Sequence, residues 1–567
     1  MAAPAELEVA HGLLQSARVR ASKGHFDAGA RLAERARELF FAADAVAPAF
    51  EAARIAAELR ARCGDLAGAR ELHEWVVEEG DRAERFSDVA QARSELGSIA
   101  EATGDLHRAV QEHDSAYIAA SRSERPDLVA MARGNLGRLL QRQGDLRAAR
   151  AHLEAARDGF RSAGVASGAI NAMICLGDLE RQLGQLSAAR TTFLGAVGAA
   201  HDIGHDRLEA LASLNLGHAA RDLGEREAAV VAFERASELA GPIAEPLVQG
   251  GARLGLGLVL ADNGPADIAY QHFEAAEAIF LSFGNVQTAV AATVNAAAIA
   301  CRMGRLNEGH RRMRKALTTL EEIGDTRGEH EVGLALAEVA LAMGHVDETH
   351  SLLARYDEPA IFGPRMVRRQ QLLETRLAAR ALQVDLAVSL LQARGADTAA
   401  PSAEQDSAGQ DGAQQAELTA GESFALSMLR VEIGLLAGQR GVLDEAMSLA
   451  AGVEAHSAPR EAAAAANIVG LVLLWLGELE SALASFVHAS SLWRRLGERI
   501  GLATALDGCA RVQLLLGLSV ELPELRELCD ELRDGGATDS ADGLALLIGV
   551  AQHAEAMQRG ELPEELG

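Results

Sequence analysis

The run Arg142-Gln143-Gly144-Asp145-Leu146-Arg147-Ala148-Ala149 decides the fold. It holds a basic helix end, a glycine turn, and a carboxylate placed to cap the first free amides of a new helix. The same punctuation stands at Gly24, Gly64, Gly104, Gly184, Gly224, Gly264, Gly304 and Gly344. Nine glycines thus follow one another at intervals of 40 residues. A fixed period of this length marks a stack of similar supersecondary units.

With each turn glycine as position zero, the flanking residues fall into register. At plus five the residue is small, as in Gly29, Ala69, Ala109, Ala149, Ala189 and Ala229. At plus nine it is often large (Leu153, Phe193, Phe233, Phe273), and at plus twelve it is Ala again (Ala116, Ala156, Ala196, Ala236). Steps of three and four keep these positions on one helical stripe, which defines a helix B after each turn. Gly164, Gly204, Gly284 and Gly324 stand where helix B ends, the place of a left-handed C-terminal cap. A helix A precedes each turn. Seven residues before the turn it carries Ala17, Ala57, Gly97, Gly137, Gly177, Gly217, Gly257, Ala297 or Ala337, small enough for two backbones to approach.

These residues, best seen in Leu136-Gly137…Ala149…Leu153…Ala156 and Leu216-Gly217…Ala229…Phe233…Ala236, resemble the tetratricopeptide repeat. The usual unit has about 34 residues, and the extra length amounts to about one helical turn shared between two helices. Units of this size look like those of the Pins/LGN-type adaptor proteins, which bind extended partner peptides. That family's C-terminal G-protein-binding motifs are not seen here, so the resemblance covers the repeats. It implies an all-α fold: an α-solenoid, a right-handed superhelix of antiparallel helical hairpins.

Phase carries on to a degenerate tenth unit at Val384-Asp385-Leu386, giving a superhelix over residues 1–396. Residues 397–423 turn to Ala, Gln, Ser, Gly, Asp and Glu, which reads as a flexible linker. Repeats resume over 424–567 around Gly441 and Gly477, and the last helices, near 521–533 and 541–558, are expected to cap the stack.

Composition narrows the function. The net charge of −27 makes a nucleic-acid backbone a poor partner for the surface as a whole. Cysteines at 63, 175, 301, 509 and 529 lack metal or redox spacing and read as reduced thiols of a cytoplasmic protein. No basic-then-apolar start suggests a signal peptide. The apolar run Ala462–Gly477 falls short of the ~18 residues of a membrane span, contains Asn467, and is in phase with a repeat helix. There is no phosphate-binding loop and no protein-kinase signature, and His73-Glu74 and His330-Glu331 lack the second histidine of a zinc protease. His201-Asp202-Ile203-Gly204-His205-Asp206 reads as the polar link between helices, its histidines split by a cap glycine. The expectation is therefore no enzyme, no metal and no cofactor.

The informative polar residues lie on helix A, at offsets −13, −9, −6 and −2, a narrow stripe opposite the packing mark. In tetratricopeptide stacks this face lines the concave groove, where an Asn often holds a peptide backbone. The resemblance carries that role to Asn135, Asn215 and Asn295 at −9, with Asn171 at −13. At −6 stand Arg138, Asp178 and His218, and at −2 Arg142, Gln182 and Arg302, with Arg181 and Arg221 one place earlier. Asn offers a peptide both a donor and an acceptor, and Arg grips a carboxylate in two places. An internal pairing of Arg138 with Asp178, or a solvated face, is the alternative use of the same residues. Leu254 and Leu258 are read as an apolar groove stretch or as core. The expected function is a non-catalytic scaffold or adaptor for a protein or extended peptide, bearing acidic side chains or a free C-terminus. The alternative is a regulatory sensor whose superhelix changes shape with a small molecule or signalling peptide, as bacterial quorum sensors look similar at this level.

Overall fold

Eight of the nine turn glycines adopt the left-handed conformation that lets one helix stop and the next begin, with φ between 72° and 87°. The exception, Gly264, precedes Pro265, whose ring pushes the residue before it toward extended backbone. After each turn, Asp65, Asp105 and Asp145 accept a hydrogen bond from the backbone N–H three residues on, at 2.9, 3.0 and 3.1 Å. The local chemistry of the repeat thus sets the helix boundaries. The computed structural model describes residues 4–356, 364–380, 420–437 and 459–559, with 387, 390, 442 and 444–448 between them. Among these residues every regular element is a helix, and the architecture is an α-solenoid. The degenerate unit at 384–386 and residues 397–419 of the expected linker lie outside the described residues.

The other turn, from helix B to helix A, uses glycine at Gly164, Gly204, Gly284 and Gly324. Where the sequence lacks it, Asp44, Glu84, Glu124 and Ala244 take the same left-handed φ of 53° to 57°. The fold therefore imposes this conformation on residues that pay a steric cost for it.

Packing within each hairpin follows from the small residue at −7. A methyl group added to Gly137, Gly177, Gly217, Gly257 or Gly470 would lie within 2.8 Å of the side chain at +9, namely Leu153, Phe193, Phe233, Phe273 or Phe486. Those side chains are wholly buried. Helix A thus supplies the hole and helix B the knob, and the same fit recurs along the chain.

The chain divides into two compact units, Met1–Val248 and Gln249–Gly567. The first contains repeats one to six, counted by turn glycine from Gly24 to Gly224. The second contains most of repeat seven, repeats eight and nine, and the helices that follow. In the second unit the C-terminal helices do more than cover the preceding helix. Leu306, at the start of helix B of repeat eight, shares one buried cluster with Trp493, Leu496, Leu502, Leu528, Leu532 and Ala541. Leu532 also approaches Gly304, and Gly535 lies against the Gly304 carbonyl. The helix Leu522–Gly535 docks on the turn of repeat eight.

The helix Pro459–Leu476 is long and apolar enough, by length and composition, to cross a membrane. This corrects the reading of the apolar run as too short. Its face formed by Ala463, Ala465, Ile468, Val469 and Val472 is buried in the repeat, and Asn467 donates to the Gly501 carbonyl at 3.2 Å.

Candidate functional site

In the first unit the helix A stripe carries a ladder of charge. Helix A of repeat three (Phe86–Ala102) ends near Glu101, whose side chain is 10 % exposed. Glu101 receives Arg142 at 2.6 Å from repeat four, and Arg138 stands 3.8 Å away. It also bonds His113 Nε2 at 3.0 Å. In repeat five, Asp178 accepts from Gln141 at 2.8 Å, Gln182 at 3.0 Å and Arg181 at 3.2 Å. Arg181 reaches on to Asp222 at 3.2 Å, which also takes Arg221 at 3.1 Å. The ladder joins Arg138, Arg142, Asp178, Arg181 and Arg221, but its basic members are already matched by carboxylates. The expected partner of Asp178 is also different: Gln141 from the neighbouring helix, with Arg138 turned to Glu101.

The asparagines divide. Asn215 and Asn295 donate to the carbonyls of Leu211 and Ala291, one turn back on their own helices, at 2.9 and 2.8 Å. Each keeps its amide oxygen. Among the described residues nothing bonds the Asn135 side chain, which is half-buried. Asn171 is exposed. His218 packs edge-on against Phe233, with ring centroids 5.1 Å apart. Its pKa falls to about 4, chiefly through burial, with Arg221 and Arg181 adding to it.

A cavity of about 460 Å³ opens on the same stripe, one to two repeats nearer the N-terminus. Phe50, Val76, Ala92 and Met131 give it an apolar wall, and Arg54, His73, Gln91 and Glu95 line it with polar groups. Met131 lies one turn before Asn135 on its helix, and Glu95 holds the −9 place that Asn135 holds in the next repeat. His73 is 5 % exposed, and no hydrogen-bond partner is found for it among the described residues. Burial, then Arg54, lowers its pKa to about 4, so its ring is neutral. The surrounding wall raises the Glu95 carboxyl, Arg54 opposes this, and Glu58 adds to it. Among the described residues no carboxylate stands within 4 Å of the exposed Arg54 guanidinium.

Sequence reading passed over this cavity, although its signal was present. The +9 position is Leu or Phe in repeats four to seven and His73 or His113 in repeats two and three. Of the two, His73 lines the cavity, whereas His113 packs against Gly97 as the later rings pack against their glycines and bonds Glu101.

In the second unit one expected groove residue is committed elsewhere. Arg302 is 14 % exposed and bound by Glu498, itself 6 % exposed, with Arg302 Nε 2.9 Å from Oε1. Arg302 also donates to the Ala261 carbonyl. As a correction, then, Arg302 faces an internal partner rather than an open groove. Leu254 and Leu258 pack half-buried against the core of repeat seven, which resolves them as core. A cavity of about 340 Å³ lies among Arg376, Phe424, Met428, Glu432, Arg460 and Trp493. Neither cavity is lined by a hydroxyl or thiol nucleophile. His205 caps its own helix and His201 bonds Glu209, as a polar link would.

Profiles of the tetratricopeptide repeat match residues 88–162 and 210–241, so repeats of this kind are present in the chain. No curated protein matches it by sequence. Among solved structures it is similar to the apo form of RapI, at 13 % identity and a TM-score of 0.39, over 49 % of this chain and 99 % of that one. It is also similar to the apo form of the quorum sensor NprR from B. thuringiensis (13 %, TM-score 0.40, 62 % and 97 %). A third is PH0952 from Pyrococcus horikoshii, a signal transduction ATPase with a tetratricopeptide repeat sensor (14 %, TM-score 0.43, 64 % and 55 %).

Proposed function

We propose that this chain is a non-catalytic scaffold that holds an extended peptide along the helix A face of its first unit. The observation that carries this reading is the cavity at Arg54, with its unmatched guanidinium, leading along one stripe to the unbonded Asn135 amide. Arg138, Arg142, Arg181 and Arg221 already share carboxylates within the chain, so they set the ladder's geometry more than its net charge. Arg54 is the group free to take a carboxylate in two places. A peptide with a free C-terminus seated at Arg54 would pass Gln91 and Met131 and meet Asn135, Arg138, Asn171, Asn215 and His218 in turn. The 40-residue unit is read as the longer, Pins/LGN-like subtype. Five free cysteines support a reducing, cytoplasmic setting.

The test is selection from a random peptide library with free C-termini, against the full chain. Enriched peptides are expected to lose affinity when amidated, in Arg54→Met, and in the Asn135→Ala, Asn215→Ala double variant, with helicity intact by circular dichroism. Peptides that bind both variants as they bind the parent would remove the site assignment.

The second reading, a sensor, is favoured by the Arg302–Glu498 contact. A unit closed on itself through two distant helices is one that a ligand can open. Loss of that contact on adding a selected peptide, seen as faster amide exchange at Arg499–Leu515, would support it, and unchanged exchange would oppose it.

A further inference from the structure

Successive B helices are tied together at a fixed register. The residue at +6 of one repeat reaches the residue at +1 of the next: Arg150 donates to Gln185 at 2.6 Å, and Arg190 pairs with Glu225. In repeats eight and nine the same two places hold His310 and His345. Two imidazoles cannot repeat either arginine contact. Glu348, one turn into the helix Val346–Arg355, stands between them instead. Its Oε1 lies 3.0 Å from His310 Nε2, and its Oε2 lies 3.3 Å from His345 Nδ1.

We propose that His310, His345 and Glu348 bind a divalent transition-metal ion of the zinc class, which joins helix B of repeat eight to helix B of repeat nine. The donor set is right for such an ion: two imidazoles and a carboxylate, with a fourth position open. The geometry is close. Metal–nitrogen bonds of about 2.05 Å in a tetrahedron place ligand atoms roughly 3.3 Å apart. The 3.0 Å from His310 to Oε1 and the 3.3 Å from His345 to Oε2 lie just below and at that value, one to each carboxylate oxygen, and one donor atom from each of the three residues lies within 4.8 Å of the others. The remaining adjustment is a turn of the His345 ring, which is 48 % exposed and stands edge-on to the His310 ring at 6.2 Å between centroids.

The backbone that carries these ligands is firm. Gly344 makes the left-handed turn before His345. The His345 N–H donates to the Ala340 carbonyl at 2.8 Å. Its carbonyl accepts from the Thr349 N–H at 3.0 Å and from the Thr349 hydroxyl at 2.9 Å. His310 rides on a helix anchored by the buried Leu306. Ligands held this way lose little freedom when an ion arrives.

One group opposes the ion. The Arg314 guanidinium also holds Glu348, and it must swing away or be repelled. Its side chain is 61 % exposed, so departure costs little. This competitor supplies the discriminating variant, because Arg314→Gln removes a cation from the site without touching a ligand.

The experiment titrates the full chain with Co²⁺ alone, read by ligand-field absorption, and with Zn²⁺ alone in competition. One ion per chain is expected, with a tetrahedral cobalt spectrum. His310→Ala, His345→Ala and Glu348→Gln should each remove it, and Arg314→Gln should tighten binding by about tenfold. The parent is also expected to gain thermal stability with added Zn²⁺, and His310→Ala is not. A parent without the cobalt band, or a band that survives His310→Ala and His345→Ala, would overturn the proposal and leave a protein-only clasp between repeats. The outcome does not depend on whether the first unit binds peptides.

Discussion

The contact between Arg302 and Glu498 ties two distant helices of the second unit, and its loss should be measurable. The two residues are 196 positions apart, and burial pushes the Arg302 pKa down while Glu498 holds it up. Glu498 also faces Arg460, at 3.1 Å. Removing one partner of a buried ion pair leaves an unmatched charge and costs about 3–5 kcal/mol. Arg302→Met leaves Glu498 with Arg460 alone. Glu498→Gln leaves two guanidinium groups facing each other. Each single change should therefore weaken the docking of the helix Arg499–Leu515 by about 3 kcal/mol, or roughly 100-fold in its opening equilibrium. Arg302→Met with Glu498→Leu removes both charges and should recover most of that loss, as apolar replacement of a buried pair often does. Hydrogen exchange across Arg499–Leu515 reads the local opening directly and does not require a long repeat array to unfold in two states. Exchange in all three variants at the parent rate would refute the claim that this pair holds the C-terminal helices to repeat eight.

Three further outcomes follow from the repeat itself. Ala244→Gly should stabilise the first unit by roughly 0.5–1 kcal/mol in urea unfolding. Relief of a left-handed alanine is worth about 1–2 kcal/mol, while glycine gives back about 0.5–1 kcal/mol in the unfolded chain. Gly217→Ala should destabilise it, because a methyl 2.6 Å from the Phe233 ring costs about 1–3 kcal/mol, more than the ~1 kcal/mol gained in helix propensity. Acid should weaken the first unit through its buried histidines. His73 and His218 have folded pKa values of about 4 against 6.5 in the unfolded chain. Between those values the unfolded chain takes up protons that the folded chain refuses. Stability is therefore full above about pH 6.5 and falls on acidification toward 4, by at most about 3 kcal/mol per histidine. Urea midpoints at pH 7, 5.5 and 4.5 check this, and a His73→Gln, His218→Gln variant should show a flatter profile.

The period was fully legible because it is written in glycine and alanine, whose roles are local. Gly144 must turn with positive φ, and Gly217 must admit Phe233, so spacing alone carries them. The stripe of Asn135, Asn215 and Asn295 was legible for the same reason, since helix geometry places −9 away from −7. What escaped sequence reading depends on distance in the chain. Glu101 gathers Arg142 and His113 from two other helices, Arg302 meets Glu498 from 196 positions further on, and His310 meets His345 from the next repeat. No local pattern encodes such meetings. They become visible only when repeats are aligned in phase and each departure from the common residue is asked what replaces it.

The ladder in repeats three to six is a weaker anchor for a charged ligand than its arginines suggest. In a row of repeats, a cation on one helix A has the neighbouring helix A as its nearest surroundings. A carboxylate there captures it before any ligand does, and Glu101, Asp178 and Asp222 stand in those places. Captured arginines still shape a groove, but a ligand that pairs with them must first displace an internal carboxylate, at a cost that offsets the new contact. Recognition by charge therefore falls to positions where the alternation breaks. Arg54 is such a position in the first unit: it lines the cavity with Glu51, Asp88 and Glu95, and none of these comes within ion-pair distance of it. Supplying a partner there should silence it. Ala92→Glu would bring a carboxylate onto the cavity wall that Arg54 lines, and it should abolish capture of free-C-terminus peptides while leaving the Arg142–Glu101 ladder in place. Capture undiminished by Ala92→Glu, in a chain of unchanged helicity, would show that charge at this cavity does not govern binding.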